Sequence, residues 1–186
     1  MRETSVPDTS FQDLGKGASK VQGWIGFPVT SPVGIVGVEF RNPDKKEIVK
    51  HYLSSASWSP TWIGTPDYTR RCFETSPLWV VEGVFDLFPL LWAVPHPIVS
   101  ASKAFLTRRQ VDFIVRFAKN GVRLVLDNDE YGNRSLYGEN GKGLLAILQR
   151  SGVRDVRPVT YSGKDPGEVW NRGGERLIIS QFSKWV

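Results

Sequence analysis

Apolar positions change their spacing about halfway along this 186-residue chain. Residues 1–20 mix Ser, Thr, Asp, Lys and Gly without periodicity and predict a flexible tail, with order beginning near Val21. Two short apolar segments follow, Trp24-Ile25-Gly26-Phe27-Pro28-Val29 and Val33-Gly34-Ile35-Val36-Gly37-Val38-Glu39-Phe40. The Ser31-Pro32 pair between them is a turn signal, so the pattern predicts a hairpin. Asn42-Pro43-Asp44 marks a second turn, ahead of the basic stretch Lys45 to Lys50 and His51-Tyr52-Leu53. Residues 54–77 are rich in Ser, Thr, Pro and Trp and read as an irregular connection.

From residue 78 the pattern is different. Leu78-Trp79-Val80-Val81 is continuously apolar, as a strand buried on both faces requires. A helix is expected over 84–94 with Pro89 in its first turn, where a missing N–H does no harm. Pro97 to Ser100 is a second short strand. Thr107-Arg108-Arg109-Gln110 is a capping-box pattern, and Val111, Ile114, Val115 and Ala118 recur behind it at helical spacing until Asn120-Gly121. Val122 to Leu126 is a third strand, Leu144 to Gln149 another helix, and Val156 to Tyr161 a fourth strand. Strands alternating with helices predict an α/β fold with a parallel-rich sheet flanked by helices. That unit is expected over 76–170, after a small strand-rich α+β lobe at 21–75 and before a C-terminal segment at 171–186.

Composition narrows the class. With 40% hydrophobic and 23% charged residues, the chain can bury one core plus a small lobe. No apolar run reaches the roughly 18 residues of a membrane span. Met1-Arg2-Glu3-Thr4-Ser5 lacks the apolar stretch of a signal peptide, which predicts a cytoplasmic protein. A single cysteine, Cys72, excludes an internal disulfide or a cysteine-based zinc ribbon and reads as a packed thiol. His51 and His96 lack metal-ligand spacing. The net charge of +5 leans toward an anionic partner such as nucleic acid, weakly on its own. The seven tryptophans are expected in the core or on a contact surface.

The chemistry concentrates at two strand ends. Ligand sites of parallel sheets lie beyond the carboxyl ends of the strands. Strand 78–81 runs into Glu82-Gly83 with Asp86 close behind, and strand 122–126 runs into Asp127-Asn128-Asp129-Glu130. Converging carboxylates repel unless a cation neutralises them, and magnesium is a hard cation that takes carboxylate and phosphate oxygens. Gly83 and Gly132 permit a close approach of backbone or phosphate. An Asp-x-Asp alone is equally a turn or a helix cap; the combination with the glutamate strand is more specific.

At this point the sequence resembles a known family. Trp79-Val80-Val81-Glu82-Gly83-Val84-Phe85-Asp86 and Leu124-Val125-Leu126-Asp127-Asn128-Asp129-Glu130-Tyr131-Gly132 look like the two signature motifs of the Toprim domain, over roughly residues 78–170. The resemblance implies a Toprim-type sheet in which Glu82, Asp127 and Asp129 are catalytic and bind Mg2+ or Mn2+, with Asp86 as the secondary acid of that metal set in a structural or metal-supporting role. Lys164-Asp165-Pro166-Gly167-Glu168 resembles the segment after the last Toprim strand of primases, so Asp165 would add to the metal site and Lys164 would contact phosphate. Pro166 at the first position of a helix accounts for the same residues without any ligand. Phe27-Pro28-Val29, Gly34 to Arg41 and Lys50-His51-Tyr52-Leu53-Ser54-Ser55 resemble the lobe that precedes Toprim in bacterial-type primases. By that likeness Arg41, Lys50 and Tyr52 bind template or nucleotide. Ser100-Ala101-Ser102-Lys103 departs from the Gly-Thr-type loop of primases, and Lys103 is a phosphate candidate there, with an ordinary solvated lysine as the alternative.

What the resemblance implies is the polymerase core of a DNA primase, phage- or plasmid-borne. It would make short RNA primers on single-stranded DNA from ribonucleoside triphosphates. A replicative helicase and a zinc-binding domain would be supplied by partners. A Toprim nuclease or RNA-processing enzyme is the first alternative. An inactive nucleic-acid-binding replisome module is the second. A topoisomerase would need a tyrosine-bearing strand-passage domain that this length does not accommodate.

Overall fold

Alternation along three strands builds the first sheet. In the computed structural model, which describes residues 21–32, 34–45, 47–52, 60–64, 75–94, 97–103, 105–139 and 141–186 (the side chains of His51 and Tyr52 excepted), β1 (Ile25–Ser31), β2 (Gly34–Arg41) and β3 (Ile48–Tyr52) pair antiparallel in that order. The expected tail at 1–20, most of the 54–77 connection with Cys72, Leu53 to Ser55, and His96 lie outside the described residues. Phe27, Val29 and Val36 are buried while Ile25 and Ile35 face solvent. Ser31 stands opposite Gly34 at the hairpin end, so the expected turn at Ser31-Pro32 forms. In the next turn the Asn42 side-chain oxygen accepts from Asp44 N at 2.9 Å.

The second sheet has the order β4-β6-β5-β7-β8, with β4 at Ile63–Gly64, β5 at Leu78–Val81, β6 at Ile98–Ser100, β7 at Val122–Val125 and β8 at Val156–Pro158. β5, β6, β7 and β8 run parallel, and β4 pairs antiparallel along the β6 edge. All four residues of β5 are buried, as their continuous apolar run predicts. Leu78 and Val80 face one core with Val111, Ile114, Leu144 and Leu148. These come from helices α2 (Arg108–Phe117) and α4 (Leu144–Arg150). Trp79 and Val81 face the other, with Leu90 of α1 (Leu87–Ala93) and Val169, Ile178 and Phe182 of α5 (Pro166–Phe182). α5 is interrupted at Gly174, whose φ of 58° is left-handed. The mixed α/β architecture therefore matches the expectation.

The first sheet is not independent of the second. Phe27, Val29 and Val36 belong to the same core as Trp79 and Ile98. Thr30 and Trp62 exchange backbone hydrogen bonds of 2.8 and 2.9 Å, which carry the chain from one sheet to the edge of the other.

Three local differences from the sequence pattern have physical causes. α1 starts at Leu87 rather than 84, because Gly83 N donates to the Asp86 carboxylate at 2.9 Å and ties 83–86 into a turn. The expected irregular stretch contains β4, whose two residues are too few to show a period. A helix, α3 (Glu130–Tyr137), follows the second acidic motif; its sequence EYGNRSLY offers no apolar stripe, and the Asp129 cap is its main local signal.

The capping box of α2 forms as predicted, with Gln110 N donating to Thr107 Oγ1 at 3.3 Å and Thr107 N to Gln110 Oε1 at 2.8 Å. Gln110 also donates to the carbonyl of Thr61 at 2.7 Å and is 2% exposed. Replacing Gln110 by Ala leaves that carbonyl and the Thr107 N–H without their partner, while the backbone N–H of residue 110 still reaches Thr107 Oγ1. Gln110→Ala is expected to cost about 2–3 kcal/mol, against about 1 kcal/mol for Thr107→Ala. Denaturant unfolding of both variants checks this; equal losses would show that the Thr61 bond contributes nothing.

Candidate active site

Strand register brings the acids together. β5 and β7 are parallel neighbours with Leu78 opposite Val122 and Val81 opposite Val125. Both chains therefore leave the sheet at the same edge, one into Glu82 and the other through Leu126 into Asp127. Electrostatic interactions link Glu82, Asp86, Asp127, Asp129, Asp165 and Lys164 there, with Asp127 acting on or felt by each of the others.

Each acid has its own environment. The Glu82 carboxyl is pushed up from its ordinary range by burial first and the Asp127 charge second, and its Oε2 is buried without a hydrogen-bond partner. Asp86 is 8% exposed, and burial, then Asp127, raises it to about 7. Asp127 is raised by burial and by the Asp165 charge. Asp129 goes the other way: it caps α3, accepts from Gly132 N at 2.9 Å, and is held low by that bond. Asp165 caps α5 by accepting from Glu168 N at 2.7 Å, with Pro166 behind it at the helix start.

A loop on the other side of β7 brings a cation to the aspartates. Lys164 Nζ lies 3.9 Å from Asp127 Oδ2 and 3.7 Å from Asp129 Oδ2. Asn128, between the two aspartates, holds that loop in place. Its amide donates to the carbonyls of Tyr161 at 2.9 Å and Gly163 at 2.8 Å, and its N–H donates to the carbonyl of Lys164 at 2.6 Å. The Tyr161 hydroxyl donates to the carbonyl of Leu126 at 2.7 Å, and burial keeps that phenol protonated. Gly132 serves a packing need: any Cβ there would collide with the carbonyl oxygen of Asp127. At Gly83 a Cβ would lie 2.7 Å from the Asp86 carboxylate, so the close approach at both glycines is made by the chain itself.

Among the described residues no three Asp, Glu, His or Cys side chains close into a finished metal-ligand set. The donors nevertheless fit a hard cation of the magnesium type, which takes one or two carboxylates and completes its shell with water and phosphate. The orphaned Glu82 oxygen, the raised carboxyls and an ammonium already standing between two aspartates support that fit.

The basic candidates form a second group. Arg41 and Lys50 both pair with Glu39, at 2.6 and 2.7 Å, rather than standing free. Lys50 Nζ also reaches the carbonyl of Ser102 at 3.5 Å. Ser102 N donates to Ser100 Oγ at 3.0 Å, and Ser100 Oγ donates to the Glu82 carbonyl at 3.1 Å, so the basic group adjoins the acidic edge. Lys103 is exposed in the same loop. Tyr52 ends β3 opposite Gly37, and its side chain lies outside the described residues. Sequence reasoning missed Glu39, Asn128 and Tyr161; the partners of Asn128 and Tyr161 lie too far along the chain to show as a motif, and the local signals for Glu39 are its place in an apolar strand and Arg41 two residues on.

Solved structures share this architecture. The zinc-binding and RNA polymerase domains of the Aquifex aeolicus primase align with TM-score 0.62 and 22% identity, over 90% of this chain and 46% of that one. The primase fragment of the bacteriophage T7 primase-helicase protein aligns with TM-score 0.59 and 18% identity, over 89% of this chain and 70% of that one. A DnaG primase catalytic domain bound to single-stranded DNA aligns with TM-score 0.60 and 17% identity, over 87% and 51%. The chain thus spans about half the length of two of these structures, and at such identities the likeness is one of fold. No family model and no curated protein matches the sequence. No helix among the described residues is long and apolar enough to cross a membrane.

The shifted acids set a pH dependence. Folded Asp86 keeps its proton up to about 7, whereas its ordinary pKa is 3.8. Between those values the folded state binds more protons than the unfolded one, so stability falls as pH rises through that window. At about 1.4 kcal/mol per pH unit of difference, the loss reaches on the order of 4 kcal/mol. The metal-free protein should melt higher at pH 5 than at pH 8, and Asp86→Asn, neutral throughout, should flatten most of that slope. A wild-type melting temperature that rises from pH 5 to pH 8 would contradict the assignment.

Proposed function

We propose that this chain carries the nucleotidyl-transfer core of a bacterial-type primase with a Toprim-type site. It makes short RNA primers on single-stranded DNA from ribonucleoside triphosphates. The observation that carries the reading is the coincidence of a primase-like fold with coupled acids at the one sheet edge that a basic lobe adjoins. Magnesium or manganese, when bound, would neutralise the triphosphate and polarise the phosphorus under in-line attack. Asp127 and Glu82 would hold it, with Asp129 and Asp165 adding negative field from their capping positions. Asp86, largely buried and protonated near neutral pH, supports the Glu82 turn through Gly83. Lys164, which stands beside both aspartates, would be the side chain to reach a phosphate oxygen. Arg41 and Lys50 face the template phosphates, giving salt-sensitive and sequence-tolerant binding; Lys103 and Tyr52 border the same groove. A helicase and a zinc-binding template reader are the partners that such a core requires.

Incubation with single-stranded DNA, ribonucleotides and magnesium tests the proposal: new oligoribonucleotides support it, and shortened DNA or RNA would instead make the chain a nuclease. Asp127→Asn and Asp129→Asn remove a charge while nearly preserving shape, and Asn still caps α3. Each is expected to cut synthesis on the order of 100-fold or more. Each should also shrink the stabilisation by magnesium, which is about 2.7 kcal/mol at a hundred times its Kd. Full synthesis in both variants would remove the metal assignment.

A further inference from the structure

The basic lobe contains a carboxylate that its strand pattern does not call for. Glu39 lies in the middle of β2 and is fully buried. Its two oxygens are divided between two cations: Oε1 takes Arg41 Nε at 2.6 Å and Oε2 takes Lys50 Nζ at 2.7 Å. Strand geometry dictates the arrangement. Arg41 is two residues along the same strand and so shares the face of Glu39, while Lys50 is its cross-strand partner in the β2–β3 ladder. Taking an ion out of water costs several kcal/mol, and packing alone would be served better by an apolar side chain. What the carboxylate adds is direction, because it fixes the ends of two flexible basic side chains at one point.

That point is placed for a ligand. Arg41 and Lys50 remain 18% and 31% exposed, so two cations on one anion leave a net positive charge open to solvent. Lys50 also touches the carbonyl of Ser102, and Ser102 leads through Ser100 to the carbonyl of Glu82. Ser102 has φ 56°, left-handed for a residue with a side chain, so this turn is held in an uncommon conformation. A run of polar contacts therefore connects the basic pair to the acidic edge.

We infer that Glu39 is a positioning residue for polyanion binding, holding Arg41 and Lys50 as one preformed site for a backbone phosphate of single-stranded nucleic acid. The inference rests on reading the chain as a nucleic-acid enzyme. Preorganising two long side chains spares their ordering on binding, on the order of tenfold in affinity together.

The test is fluorescence anisotropy of a labelled oligothymidylate across a salt series, below the melting temperature of every variant. Glu39→Gln adds one net positive charge. Simple charge removal therefore predicts tighter binding and a salt slope steeper by about 1. Positioning predicts the opposite: binding about tenfold weaker, with a shallower slope. In an Arg41→Gln/Lys50→Gln background there is nothing left to position, so adding Glu39→Gln should change affinity less than about twofold. Glu39→Asp keeps the charge and shortens the reach; it should lose several-fold in affinity, and it carries the test if the glutamine variant does not fold. Tighter binding by Glu39→Gln, an equal loss in both backgrounds, unchanged affinity in Glu39→Asp, or no oligonucleotide binding by the wild type would each overturn the inference. The coupled pattern in a protein that makes no primers would leave Glu39 in this role and overturn the primase reading instead.

Discussion

Two parallel strands that end side by side and both continue into carboxylates impose the constraint on which the site depends. The β5–β7 register is enforced by burial, since every residue of both strands is in the interior and a slip by one would turn each apolar side chain to the wrong face. Hydrophobic packing over the whole sheet therefore holds like charges at one edge, where they would separate if free to. The consequences are visible in the acids themselves. Glu82, Asp86 and Asp127 all hold protons more tightly than ordinary carboxyls, and Asp129 escapes because backbone N–H groups of α3 satisfy it.

Local features around the edge answer the same problem. The ammonium of Lys164 stands beside both aspartates, and its loop is clamped by Asn128 and Tyr161 rather than by secondary structure. The opening turn of α3 sits directly on the Asp127 backbone, which only Gly132 permits. On the far side the three-stranded lobe is joined through a shared core and the Thr30–Trp62 ladder, so its cations cannot drift from the acids. Opposite charges are thereby held on one frame, the arrangement in which preorganised electrostatics contribute most.

Much of this was legible in the sequence because it rests on burial. The run Leu78-Trp79-Val80-Val81 reads as a two-faced strand, and the capping box at Thr107 as a helix start, from residues close together in the chain. Once the strands are placed, the acids that follow them fall at one edge without further assumption. What was hidden depends on partners distant in sequence. Nothing near Asn128 announces its bonds to the 161–164 loop, and nothing near Glu39 announces Lys50 across a turn. β4 is too short to carry a period, and α3 is polar almost all round, so both are stabilised by tertiary contacts that no local pattern records.

Metal titration with a proton count tests the central claim most directly. A cation held by Glu82 and Asp127 favours the ionised form of Asp86 beside them, which burial and the Asp127 charge keep protonated up to about 7. Calorimetric titration of magnesium or manganese at pH 6.5, repeated in buffers of different ionisation enthalpy, gives the number of protons released. The account predicts binding with net proton release, diminishing toward pH 8 as Asp86 ionises unaided and reduced in Asp86→Asn. Binding with no proton release at pH 6.5, or no binding at millimolar metal, would contradict it.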